Sequence, residues 1–423
     1  MNMTEATMET ITTGAHAKRL VLAMQHFVAM FGATVLVPIL TGFDPSVAIF
    51  AAGMGTLLFH LCTGGKVPVF LGSSFAFIPV ILKVAEETGD LRYAQGGIIV
   101  AGFIYVIIAG IVKLVGPEKI QKIMVPQVIG PMIIVIGFNL IPSAFGMAKT
   151  NFLVAGITLA TALTVIKFGK GFVGQISILI ALLVGYGVSA ALHIVDYSPI
   201  VEASAFAMPK FQAPKFSVGA IATIAPIVLA VLMEHLGDIT TNSTIVGKNF
   251  IKDPGLHRTL LGDGIATMAA GFVGGPANTT YGENSAVLAI TKNYDPSLLR
   301  LAAIFALCVS FVGKLSGVLR SIPTCVLGGI SLVLFTMIGM VGVRTIVRAK
   351  VKPNWKNILV MGSILVIGFG SGLIERETGI RLAIVISDTI AIEGLSLAAI
   401  VGIVLNLILN PNKKEGKETQ EVA

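Results

Sequence analysis

The sequence predicts an all-α polytopic membrane protein with about fourteen transmembrane segments in a seven-plus-seven inverted repeat. Three observations carry that expectation. Runs of roughly 20 apolar residues recur along the 423-residue chain, each long enough to cross a hydrocarbon core of about 30 Å. Only 12% of residues are charged, where a soluble domain carries roughly 25%, so there are too few charges to cover a solvated surface. Motifs in the first half also answer to motifs in the second at an offset of 209 residues. A soluble enzyme, a nucleic-acid binder and a disulfide-stapled secreted domain are excluded.

The apolar stretches run over 20–42, 46–62, 68–83, 94–115, 124–147, 150–167, 173–195, 217–237, 259–274, 277–291, 297–319, 323–343, 355–373 and 391–410. Positive charge orients them, because cytoplasmic loops carry an excess of Lys and Arg. With fourteen spans and both termini inside, 21 of the 30 basic residues fall in inside segments and 8 in outside ones. Dropping one early span reverses every later loop and damages this asymmetry. The net charge of +8 is thus spread over short loops, not gathered into a nucleic-acid-binding face. Cys62, Cys308 and Cys325 are odd in number and show no CxxC or Cys/His spacing, so no metal, cofactor or disulfide is expected. The polar N-terminus before Lys18-Arg19 lacks a basic start and a small-residue cleavage site, so the first apolar run is expected to be retained.

Met24-Gln25-His26 in the first span matches Met233-Glu234-His235 in the eighth. At the same offset Ser73-Ser74 matches Gly282-Glu283. Seven spans per half is odd, so the second half is expected to be inverted, a pattern of secondary transporters with a midplane site at the repeat interface. Segments 3 (PVFLGSSFAFIPVILK) and 10 (GPANTTYGENSAVLAIT) are too short for ordinary crossing helices. Each is read as a short strand plus a half-helix, the half-helices starting near Ser74 and Glu283. Irregular backbone at membrane depth requires burial or a cavity. Two half-helix starts aim free N–H groups and positive dipole ends at one central place.

Intramembrane carboxylates are costly and therefore mark functional positions. Glu234 lies deep in the eighth span, Asp238 follows one helical turn later, and Glu283 opens the second half-helix. Such acids can accept hydrogen bonds from substrate N–H groups and couple binding to protonation, because desolvation raises a carboxylate's pKa. Gln25 and His26 read as structural hydrogen-bonding groups across helices, and His60 and His235 as packed polar residues. Phe75 reads either as packing or as a stacking surface for a flat ring.

LAMQHFVAMFGATVLVP (22–38), LGSSFAFIP (71–79), MEHLGD (233–238), DPGLHR (253–258) and PANTTYGENSAVLAITK (276–292) together resemble the nucleobase/ascorbate transporter family, the nucleobase–cation symporters. The resemblance spans about residues 20–410, is closest to the uracil:proton symporter branch, and includes the signature Glu283-Asn284 with Thr291-Lys292. It implies a core domain from 1–118 and 205–320 and a gate domain from 119–204 and 321–423. It further implies that Ala33, Phe75, Glu234, Gly282 and Glu283 surround a nucleobase, with Ser74, Asn284, Gln25 and His26 in support. Proton coupling is expected at Asp238 or Glu234, and the resemblance implies a homodimer in the inner (plasma) membrane. The chain departs from the family pattern at Ala286, usually Gly, and at Asp238, where bacterial uracil carriers have histidine and purine carriers often an acid.

The leading expectation is therefore a proton-coupled uracil importer working by alternating access. A xanthine or other purine-base symporter is the near alternative, and an intramembrane enzyme using the carboxylates is the distant one. No nucleophile, metal cluster or cofactor motif accompanies the acids. The P-loop pattern GxxxxGK[ST] is absent from the sequence, so ATP-driven pumping by this chain alone is not expected.

Overall fold

The computed structural model describes residues 3–116, 125–379, 382–387 and 390–410. Lys119, Lys122, Arg381, Lys413, Lys414 and Lys417, counted above for orientation, lie outside the described residues. The elements are α1 (Met3–Thr41), α2 (Pro45–Cys62), β1 (Leu71–Ser73), α3 (Ile78–Thr88), α4 (Leu91–Val115), α5 (Pro126–Asn139), α6 (Ile141–Ala148), α7 (Phe152–Phe168) and α8 (Ser177–Ala191). They continue with α9 (Val218–Ile224), α10 (Val228–Val246), α11 (Leu256–Val273), β2 (Asn278–Thr280), α12 (Gly282–Thr291), α13 (Pro296–Ser310), α14 (Gly313–Arg320) and α15 (Thr324–Arg348). Last come α16 (Trp355–Thr378), β3 (Ala383–Ser387), β4 (Ile390–Glu393) and α17 (Gly394–Leu409).

Six helical stretches among the described residues are long and apolar enough to cross a membrane: 18–41, 45–62, 91–115, 126–148, 218–246 and 324–348. Five shorter apolar helices cover 152–168, 177–191, 296–310, 355–371 and 397–409. α11 matches α2 in length but is less apolar, since it buries Thr259, Asp263 and Thr267. Local chemistry sets the helix starts. Asp44 caps α2 through the Ser46 N–H at 2.8 Å with Pro45 in the first turn, and Asp295 caps α13 through Ser297 N–H at 2.9 Å with Pro296 beside it. Asn151 and Ser217 cap α7 and α9 in the same way.

The order long helix, helix, strand, short helix, helix occurs twice, first as α1, α2, β1, α3, α4 and again as α9–α10, α11, β2, α12, α13. Within these eleven elements α4 lies along α11, and α2 packs on α11 and α13. A second group gathers around α15, which contacts α5, α6, α7 and α8, while α16 packs on α5 and α17. The groups meet where α1 touches α8 and where α10 touches α5 and α17. The segment between α8 and α9 is strapped onto the first group. Ala207 and Gly313 donate backbone bonds to Phe311 and Ala205, each at 3.0 Å, and Phe50 meets Phe211 edge-on at 5.0 Å. The strap ends at a charge clamp, where Arg92 and Lys215 (Nζ 3.0 Å) hydrogen-bond Asp90 and hold its carboxyl well below the usual carboxylate range. A depressed acid stabilises above its ordinary pKa, so this clamp loosens on strong acidification.

Two differences from the sequence reading are physical. The eighth span does not stop at 237. After a tight turn at Ala225–Ile227 the helix runs on to Val246, and Asp238 and Asn242 of its polar stretch DITTNST find hydrogen-bond partners on the broken segments. Residues 391–393, read as the start of the last span, are not helical but belong to β4, which pairs antiparallel with β3, both rich in β-branched residues.

Helices in lipid gain little from hydrophobic burial against each other, so close packing of small residues decides their contacts. A Cβ added at Gly102 of α4 would lie 2.7 Å from the Gly264 carbonyl of α11, and one at Gly264 would lie 2.8 Å from the Gly102 carbonyl. The α5–α15 crossing works alike, with a Cβ at Gly137 only 2.6 Å from the Phe335 carbonyl. Gly102→Val should therefore lower stability by about 1–3 kcal/mol through overpacking. Gly110→Val on the same helix, which meets nothing within 4 Å, should leave stability nearly unchanged, since valine is no poorer a helix former than glycine. Thermal unfolding in detergent compares the two, and equal losses would refute the close-packing account.

Candidate functional site

β1 and β2 cross as an antiparallel pair, with Leu71 opposite Thr280, Gly72 opposite Thr279 and Ser73 opposite Asn278. Two further bonds lengthen the ladder, Ser74 N–H to Ala277 C=O at 2.8 Å and Tyr281 N–H to Phe70 C=O at 3.0 Å. Backbone here has no water to bond, so the two strands satisfy each other. Each strand then turns into its half-helix, β1 through the turn Phe75–Phe77 into α3 and β2 directly into α12 at Gly282. This is the strand-plus-half-helix form expected for segments 3 and 10.

Tyr281 locks the crossing. Its hydroxyl donates to the Ser73 carbonyl at 2.9 Å, and its ring fills the space that a side chain on Gly72 would need. Ser73 Oγ donates to the Thr34 carbonyl of α1 at 3.1 Å, next to Ala33, which is buried. On the other side, Asp238 of α10 accepts a hydrogen bond from Thr280 Oγ1 at 2.9 Å. One turn later Asn242 donates to the Pro68 carbonyl at 3.0 Å and to Ser285 Oγ at 3.1 Å, so one side chain joins both broken segments.

Several of the expected site residues lie at or beside this crossing. Glu234 and Asp238 are half-buried and one turn apart on α10, hence on one face. A Cβ on Gly282 would have only Asp238 Oδ1, at 3.8 Å, within 4 Å, so the start of α12 borders open space. Ser74 is fully buried at the flank of the first half-helix. Phe75 is buried and meets Phe335 of α15 edge-on, with ring centroids 6.3 Å apart at 78°. Asn284 donates to the His26 carbonyl at 2.9 Å and lies 3.3 Å from His26 Nδ1, tying α12 to α1. Gln25 is half-buried beside it. Glu283 stands in the first turn of α12, and its side chain lies outside the described residues.

Sequence reasoning missed four contributors. Thr280 and Tyr281 fall in the strand expected for segment 10, and a polar NTTY run at membrane depth signals buried hydrogen bonding. Asn242 fell outside the eighth span as drawn, and Phe335 carries no local signal because only the meeting of α15 with the first half-helix gives it a role. His235 is more than a packed polar residue. Its Nδ1 lies 3.1 Å from Asp263 Oδ2 and its Nε2 3.0 Å from Thr259 Oγ1, both on α11 and all buried.

A strand crossing between two half-helices, flanked by carboxylates and set where two helix groups meet, defines a membrane transporter fold. The fold is similar to the transmembrane domain of the cyanobacterial bicarbonate transporter BicA, with TM-score 0.62, 15% identity and coverage of 92% of this chain and 96% of that one. It is also similar to the murine anion transporter Slc26a9 in its inward-facing state, with TM-score 0.64, 10% identity and coverage of 92% and 68%. The chain belongs to the permease family Xan_ur_permease, which matches residues 17–375. It is 40% identical to the uracil permease of Bacillus subtilis, covering 94% of each chain. It is 39% identical to the uracil permease of Escherichia coli K12, over 92% of this chain and 90% of that one. A probable uracil permease of Haemophilus influenzae is 39% identical over 94% and 96%. The protein is a multi-pass membrane transporter and not an enzyme.

The crossing gives a direct test. Tyr281→Phe removes the bond to Ser73 and should cost about 0.5–1.5 kcal/mol. Gly72→Ala drives a methyl group into the Tyr281 ring and should cost more, unless the ring can move aside. Unfolding midpoints that leave both variants level with the parent protein would exclude the crossing as a stabilising element.

Proposed function

We propose that this protein imports uracil together with a proton by alternating access. The observation that carries the proposal is the 39–40% identity, over more than nine-tenths of the chain, to proteins named uracil permeases. The site chemistry agrees with it. Uracil is a flat, neutral ring with N–H donors and carbonyl acceptors on one edge. Carboxylates at Glu234 and Glu283 would accept its N–H groups, and the free backbone N–H groups at the start of each half-helix would meet its carbonyls. Phe75 supplies an apolar ring for its face, and Gly282 leaves room because it has no side chain. Ala33 closes the α1 side.

Asp238 is the proposed proton carrier, with Glu234 as the alternative. As a carboxylate Asp238 only accepts hydrogen bonds, whereas the protonated acid also donates one, so protonation rewires its contact with Thr280 at the strand crossing. The moving parts would be a core of 1–118 and 205–320 and a gate of 119–204 and 321–423, with Phe75 against Phe335 at their contact. Fourteen segments in a seven-plus-seven inverted repeat are supported by the twice-repeated element order. The six long helices, five short apolar ones, α11 and two half-helices supply the segments. The positive-inside excess supports cytoplasmic termini in the plasma membrane. A homodimer through the gate helices is part of the same reading.

Glu234→Gln should weaken uracil binding by about 1.5–3 kcal/mol, the loss of a hydrogen bond to a charged acceptor. Gly282→Val should abolish binding and Phe75→Leu should only reduce it. Calorimetry on the purified protein measures all three, and unchanged affinities would remove these residues from the site. Uptake of labelled uracil should rise as external pH falls and collapse with a protonophore, and 5-fluorouracil should compete. Sodium-dependent uptake that ignores the protonophore would overturn proton coupling. Displacement by xanthine at equal concentration would replace uracil with a purine base.

A further inference from the structure

A cavity lies where three loops meet: α2 to β1, α10 to α11, and α12 to α13. Its volume is about 610 Å³, and its lining includes Lys66, Lys248, Asn249, Lys252, Asp253 and Tyr294. None of these residues belongs to the transport site described above.

The charge in this cleft is unbalanced. Asp253 pairs with Lys66 at 2.5 Å, which leaves Lys248 and Lys252 with no ion pair among the described residues. The Arg300 guanidinium stands behind the loop, its Nη1 2.7 Å from where a Cβ on Gly65 would sit. It too has no ion pair among the described residues. The neighbouring acid, Asp295, feels the charge of Arg300 as well as that of Arg19 at 3.8 Å, and it accepts the Ser297 hydroxyl. Unpaired like charges sharing one concave site repel each other, and they create a positive potential that concentrates anions. Neutral donors stand among them. Asn249 uses its carbonyl oxygen to accept the Ile251 and Lys252 N–H groups, both at 3.1 Å, and this fixes the turn while leaving its amide N–H₂ as a donor. The half-buried Tyr294 adds a phenol and a ring edge.

We propose that this cleft binds a phosphate ester. Ammonium groups are strong point-charge partners for phosphate oxygens. The volume falls within the roughly 300–1,000 Å³ of small-molecule sites, too large for a bare inorganic anion and suited to a phosphate carrying an organic group. Two sources share this chemistry, the headgroup of an anionic phospholipid and a soluble phosphorylated compound. Basic clefts between membrane helices are known to take the former. Because the lining comes from three separate loops, the ligand would also tie α2, α10 and α12–α13 together on this face.

The test uses the full-length protein in detergent and in nanodiscs. Uridine 5′-monophosphate is the soluble probe, and phosphatidylglycerol is compared with phosphatidylcholine as the lipid probe. At least one of the two should raise the unfolding temperature. Lys248→Gln/Lys252→Gln should weaken that response at least tenfold in probe concentration, whereas Lys248→Arg/Lys252→Arg and the distant control Lys149→Gln should keep it. Stabilisation by the nucleotide in detergent identifies a soluble ligand, and stabilisation by phosphatidylglycerol alone identifies a lipid. No response to either probe, or the same response in the double Gln variant, would overturn the proposal. Uracil binding should be unchanged in that variant, so failure of the anion site and failure of the transport reading are separable.

Discussion

Two strands of three residues each hold this architecture together. Backbone at membrane depth must be hydrogen-bonded, yet a half-helix leaves its entering strand without a helical partner. The pairing of Gly72 with Thr279, extended by Ser74 and Tyr281, resolves both problems at once because each strand supplies what the other lacks. Neither broken segment could exist alone. The pairing also fixes where the half-helices begin, and hence where their free N–H groups and positive ends lie. Everything that gathers at the site, from Asp238 on Thr280 to Asn242 on Ser285, is attached to this crossing.

The crossing is held by backbone and side-chain groups from a small number of elements. α1 contributes the Thr34 carbonyl and the His26 backbone, and α10 contributes Asp238 and Asn242. Both helices also touch the second helix group, α1 at α8 and α10 at α5 and α17. A change at the site is therefore mechanically close to the boundary between the groups. Glycine-lined crossings at α4–α11 and α5–α15 bring the helices within each group into close contact. The buried His235–Asp263 pair reinforces the same division, since it ties α10 to α11 inside the first group.

Much of this was legible in the residues. Low charge and recurring apolar runs gave the membrane class, and Pro followed by small polar residues marked both broken segments. Glu234 and Asp238 stood out because acids are costly in a membrane, and the structure brings them to one face of α10 beside the start of α12. Hydropathy failed where a helix is polar for a reason. It ended the eighth span at 237, yet the helix runs to Val246 because Asp238 and Asn242 find partners in the other broken segment. It also read the start of the last span as helix where a hairpin lies.

The sequence by itself determined the membrane class, the two interrupted segments and the residue types available for a polar site. These follow from composition and spacing, which every local stretch carries. Tertiary structure alone decided the pairing of 71–73 with 278–280, the Tyr281 lock over Gly72 and the approach of Phe335 to Phe75. Each joins positions far apart in the chain, and no local propensity encodes such a partner. The same holds for the basic cleft, whose lysines lie in separate loops and become one charged surface only when α2, α10 and α12 end side by side.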